Sequence, residues 1–125
     1  MATQTPQISF IPEKVDLAIY AGDAMAVRIV ARDRSTREPL NISGFHEAQI
    51  RLRRDSADAL ESFQIDNSEA ADGVLLLSLT SVQTILLGDR FSGVWDVQWT
   101  KATEGAEPLT LAQGRVTSQL NVTRD

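Results

Sequence analysis

The side chains able to do chemistry in this chain are few. His46 is the only imidazole, and there is no cysteine. A general base or a metal ligand is conceivable at His46. With no second histidine and no thiol, a metal site there would have to be completed by carboxylates. His46 also falls on the apolar parity of its strand, which reads as a structural or edge position. No G-x-S-x-G, S-x-x-K or H-E-x-x-H pattern occurs, and these are the arrangements that present an activated nucleophile or a zinc site. The glycines are scattered singly, so no phosphate-cradling loop is formed. Catalytic, cofactor and metal residues are therefore expected to be none, and the protein is expected not to be an enzyme.

The stretch Asp66-Asn67-Ser68-Glu69-Ala70-Ala71-Asp72-Gly73 has the look of a calcium loop. Ala70 and Ala71 fill the places where an EF-hand needs an oxygen ligand and a glycine, so a polar hairpin is the better reading. Trp95 and Trp99 lie four apart on a strand and share a face. They read as core, since Val97 lies between them, with a sugar-binding platform (Tyr20 included) as the competing use. The carboxylate pairs Asp16 with Asp23 and Glu61 with Asp66 read as solvated surface. Asn41-Ile42-Ser43 and Asn121-Val122-Thr123 match the glycosylation sequon by chance.

Bulk properties narrow the classes further. With 125 residues the chain is one domain, long enough to bury a core. Net charge is −5, from 17 acidic and 12 basic residues, which disfavours nucleic acid, whose binding needs a basic footprint. The patch Arg51-Leu52-Arg53-Arg54 does not outweigh it. No apolar run approaches the roughly 20 residues of a membrane span. Met1 to Phe10 is polar and uncharged and does not read as a secretory leader. A soluble chain made in the cytoplasm is expected.

The elements that would carry these residues are mostly strands. Residues 1–14 read as an extended N-terminal arm, residues 15–125 as the folded domain. Val15, Leu17 and Ile19 alternate with polar neighbours, and Ala21-Gly22-Asp23 signals a turn. Met25, Val27, Ile29 and Ala31 form a second apolar face. Residues 33–38 form a loop and Asn41-Ile42-Ser43-Gly44 a turn. His46, Ala48, Ile50 and Leu52 then alternate with Glu47, Gln49, Arg51 and Arg53, as in a half-solvated strand. Phe63 and Ile65 mark a short strand. Residues 74–80 are apolar on both parities, which predicts a central strand covered on both sides. At residues 81–88 a helical turn is expected, capped by Thr80 or Ser81, with Val82, Ile85 and Leu86 as its apolar stripe. Trp95, Val97 and Trp99 line a core strand. In the last strand the apolar parity switches between Leu111 and Val116, which predicts a bulge at Gln113-Gly114. The fold expected is all-β: one immunoglobulin-like antiparallel β-sandwich of about seven strands with one short helical turn.

Tyr20-Ala21-Gly22-Asp23 before an apolar strand, then Pro39-Leu40-Asn41-Ile42-Ser43-Gly44, resembles the N-terminal immunoglobulin-like domain of phage baseplate upper proteins. Trp95-Asp96-Val97-Gln98, Leu111-Ala112-Gln113-Gly114-Arg115-Val116 and Asn121-Val122-Thr123-Arg124 fit the same resemblance, over residues 15–124. It implies a structural protein of a tailed-phage virion, docked to the tail, baseplate or fibre, with capsid decoration as the alternative. It implies other virion proteins as partners, a homo-oligomer within a symmetric assembly, no nucleic acid, no membrane, no cofactor, and location in the virion. The contacts expected are Thr3, Pro6, Ile8, Phe10 and Pro12 in the arm and Arg34 and Arg37 in the 33–38 loop, since an extended arm can add to a neighbour's sheet edge. A carbohydrate-binding sandwich is the second alternative.

Overall fold

The computed structural model describes residues 13–53, 56 and 59–120. Period-two alternation of buried and exposed side chains runs through the chain, and it builds two sheets. The strands are β1 (Glu13–Lys14), β2 (Leu17–Ala21), β3 (Met25–Val30), β4 (Gly44–Arg51), β5 (Glu61–Ser62), β6 (Gln64–Asp66), β7 (Val74–Leu79), β8 (Phe91–Lys101) and β9 (Leu109–Leu120). The one α-helix among the described residues, α1 (Ser81–Leu87), links β7 to β8. A 3-10 turn, Ala70–Asp72, lies between β6 and β7.

The larger sheet has the order β1-β9-β8-β4-β5, with β2 also on β9; the smaller is β3-β7-β6. Counting β1 with β2 as one interrupted strand and β5 with β6 as another, the second, fifth and fourth strands (the fourth through its β6 part) face the third, sixth and seventh. That is the partition of an immunoglobulin-like sandwich, so the all-β sandwich expected from the alternation is the fold observed. One pairing departs from an antiparallel scheme: β1 and β2 run parallel to β9, Leu17 opposite Val116 through Ala21 opposite Leu120. Glu13 and Lys14, the last residues of the expected arm, already pair with Ala112 and Gln113. Thr3, Pro6, Ile8, Phe10 and Pro12 lie outside the described residues.

The core fills the space between the sheets. Leu17, Ile19, Ala48, Ile50, Trp95, Val97, Trp99, Ala112 and Val116 come from one sheet, Ile29, Leu75, Leu77 and Leu79 from the other. Phe63 packs edge-on against Trp95 with ring centroids 5.9 Å apart. Both indoles find acceptors inside the core. Trp95 Nε1–H donates to the Val15 carbonyl at 2.7 Å, Trp99 Nε1–H to the Ser43 carbonyl at 3.0 Å. Among the described residues no buried side-chain nitrogen or oxygen lacks a hydrogen-bond partner, as a well-formed interior requires.

Four expectations need correction. Leu52 lies beyond the end of β4 and is exposed, because the strand stops pairing at Arg51. Residues 74–79 are central in their sheet, yet only the inner face is closed. Leu76 points outward and is exposed, since no described residue covers that sheet's outer face there. The bulge falls at Leu111, not at Gln113-Gly114. Val97 pairs with Ala112 and Gln98 with Thr110, which leaves Leu111 as the extra residue, and Leu111 and Ala112 are both buried. Gly114 serves another purpose. A Cβ there would stand 1.8 Å from the Val15 carbonyl oxygen, so the N-terminal strand can cross only a bare backbone.

The fourth correction concerns α1. Thr80 and Gln83 form a reciprocal capping box at its start, as the sequence suggests. The face turned inward is the opposite of the one the apolar spacing predicts. Thr84 is fully buried, while Val82, Ile85 and Leu86 are 64%, 53% and 68% exposed. Thr84 Oγ1 accepts from the Gly22 N–H at 3.0 Å and lies 2.9 Å from the Asp23 carbonyl, to which it can donate. The hydroxyl thereby satisfies the β2–β3 turn, and that anchoring fixes which way the helix faces.

Candidate functional site

Strand alternation sends one set of side chains into the core and the other onto the outer face of the larger sheet. On β4 the outward set is Phe45, Glu47, Gln49 and Arg51; on β8 it includes Val94, Asp96 and Gln98; on β9, Gln113 and Arg115. The register sets Glu47 beside Gln98 and Gln49 beside Asp96, and Asp96 beside Gln113. These groups line a polar cleft of about 480 Å³. Neighbouring strands are about 4.8 Å apart and alternate residues about 6.7 Å apart.

The cleft's side chains are joined to one another. Gln49 Nε2–H donates to Glu47 Oε1 at 2.7 Å. Arg51 donates to Gln49 Oε1, and its other terminal nitrogen donates to the Ser56 carbonyl at 2.8 Å. Arg51 is thus held by its neighbours on the face. Phe45, on the same face beyond Glu47, is 69% exposed. Amide, carboxylate and guanidinium groups in one plane offer donors and acceptors side by side, which suits binding a polar ligand.

The residues singled out from the sequence are placed elsewhere. His46 points inward from β4 beside Trp99. Its Nε2 lies 2.7 Å from the Ile42 carbonyl, which can only accept, so Nε2 carries the proton; Nδ1 faces the Asn67 amide at 3.4 Å. The imidazole thus ties β4 to the β6–β7 hairpin. Asp66 and Gly73 sit at the two ends of that hairpin. Asp66 Oδ1 accepts from the Ser68 N–H at 3.0 Å, and this holds its carboxyl below the ordinary value of 3.8. No group of three or more metal-ligating side chains occurs among the described residues.

Trp95 and Trp99 are each 2% exposed, so they form no sugar platform. Tyr20 is half exposed but lies on β2, at the far edge of the sheet. Asp16 and Asp23 are at opposite ends of β2, and Asp16 Oδ1 accepts from the Arg115 N–H at 3.0 Å. Glu61 and Asp66 belong to different sheets. Neither carboxylate pair is brought together. Arg34 and Arg37 lie exposed in the 33–38 loop, where Arg37 adopts a φ of 63° and its carbonyl accepts from Arg32. Asp33 Oδ1 accepts from the Ser35 and Thr36 N–H groups, closing that loop.

A second surface stands out at the end of the sandwich. The stripe Val82, Ile85 and Leu86 presents apolar side chains to solvent from a helix that the core does not need them to hold. No helix among the described residues is long and apolar enough to cross a membrane. No protein-family model matches the chain, and no curated protein matches it in sequence.

Proposed function

We propose that the protein is a non-catalytic structural part of a tailed-phage virion, a sandwich adaptor docked to the tail, baseplate or fibre. The observation that carries the docking role is the outward apolar stripe of α1. Clustered apolar side chains on a soluble surface mark contact sites. Covering the exposed parts of Val82, Ile85 and Leu86 would contribute roughly 1 kcal/mol each. The virion assignment rests on the turn and strand-edge resemblance at residues 20–23 and 39–44. The partners proposed are other virion proteins and further copies of this chain; capsid decoration is the alternative placement. The arm and the exposed loop residues Arg34 and Arg37 are secondary contacts.

The test replaces Val82, Ile85 and Leu86 together by Ser in the phage that encodes the chain and quantifies the protein in purified particles. Loss of at least tenfold in incorporation, with an unchanged melting temperature of the isolated variant, is expected. Normal incorporation rejects α1 as the docking surface. Absence of the wild-type chain from purified particles rejects the virion role. Electron microscopy of particles carrying a labelled copy separates tail from head.

A further inference from the structure

We propose that the outer face of β9, β8 and β4 is a binding site for a neutral oligosaccharide. The ordinary fate of such a face is solvation, met by mobile charged side chains. This face differs in three respects. Its polar groups line a cleft of about 480 Å³, inside the roughly 300–1,000 Å³ of small-ligand sites. No lysine lines it; three glutamines, Gln49, Gln98 and Gln113, do. And its side chains are joined in a chain from Glu47 through Gln49 and Arg51 to the Ser56 carbonyl, so less side-chain freedom is lost on binding.

The chemistry of the lining selects the ligand. Glu47 and Asp96 stand against Arg51, so the cleft matches neither a polyanion nor a polycation. Each glutamine offers a donor and an acceptor in one plane, as do the neighbouring hydroxyls of a sugar ring. At the strand spacings given above, the array covers about 10 by 13 Å, the footprint of two to three pyranose rings. Phe45 continues the β4 row beyond Glu47 and is 69% exposed; its ring can take the apolar C–H face of a sugar at that end. This site lies on the sheet face and is independent of the α1 docking surface.

The experiment titrates the full chain, uniformly labelled with nitrogen-15, with neutral tri- to pentasaccharides of glucose, mannose, galactose and N-acetylglucosamine. Binding is read from the side-chain amide resonances of Gln49, Gln98 and Gln113. Shifts confined to this face are expected for at least one sugar, weakened at least tenfold by Gln98→Ala and by Phe45→Ala. Both variants should melt as the wild type does. No shift up to about 10 mM sugar, or shifts unchanged in both variants, overturns the proposal. So do shifts of the same resonances with protein concentration alone, which would identify a second copy as the occupant. Saccharide binding by a chain that never enters particles would keep this site and remove the virion role.

Discussion

The orientation of α1 can be tested by crossing two substitutions. Thr84→Val keeps the shape of the side chain and removes the hydroxyl. The Gly22 N–H then loses the acceptor that now lies 3.0 Å away, and the Asp23 carbonyl loses the hydroxyl at 2.9 Å. Leaving such groups unsatisfied costs about 1–3 kcal/mol. Because Thr84 is fully buried, water cannot replace the hydroxyl in place, and about 2 kcal/mol is the value to expect. For a chain of this length that lowers the melting temperature by about 6–10 °C. Thr84→Ser, which keeps the oxygen, should recover most of the loss. Ile85→Ser removes a side chain that is 53% exposed, and should change stability by no more than about 0.5 kcal/mol. Thermal and urea unfolding, followed by tryptophan fluorescence from the buried Trp95 and Trp99, measure all three. A neutral Thr84→Val together with a costly Ile85→Ser would refute the argument, since that is the result of a helix seated by its apolar stripe.

Two further outcomes follow from the geometry. Gly114→Ala places a methyl 1.8 Å from the Val15 carbonyl oxygen, so β1 and β2 must shift at a cost of about 3 kcal/mol; hydrogen exchange should show lost protection at the Val15 and Arg115 amides while β4 and β8 stay protected, and unchanged protection would contradict the close approach. Asp33 is held below 3.8 chiefly by the Thr36 N–H and Asp66 by the Ser68 N–H. A depressed folded value means a contribution that is present above the unfolded carboxylate range and lost as pH falls through the folded value. Asp33→Asn with Asp66→Asn should therefore be slightly less stable than wild type at neutral pH and converge with it in urea melts below pH 3.8.

Much of this fold is legible in the alternation, and the exceptions have identifiable causes. Trp95, Val97 and Trp99 announce a core strand because sheet packing repeats every second residue, and the register cannot move without exposing them. The bulge in β9 is misplaced because Gly114 carries two meanings. A glycine at a parity switch suggests an extra residue, yet here it makes room for a chain crossing some hundred positions away in sequence. The helix is misread because periodicity weighs apolar side chains and ignores a threonine hydroxyl seeking a backbone partner. The polar cleft is missed for a different reason. Glu47, Gln49 and Arg51, like Asp96 and Gln98, each look like the wet side of one strand. Only the pairing of β4 with β8 and β8 with β9 turns them into an array. Three glutamines at outward positions are the signal that was available.

The parallel pairing of β2 with β9 has a mechanical consequence. Glu13 and Leu120, the first and last of the described residues, lie at opposite ends of adjacent strands. A pull applied at those two points loads the ladder from Leu17–Val116 to Ala21–Leu120 along the strand axis, so its hydrogen bonds must yield together in shear. An antiparallel pair pulled from one end would unzip one bond at a time. The resistance of such a clamp is a matter of unfolding rate under load. Resistance to a pull along that axis is thus concentrated in the pairing of β1 and β2 with β9.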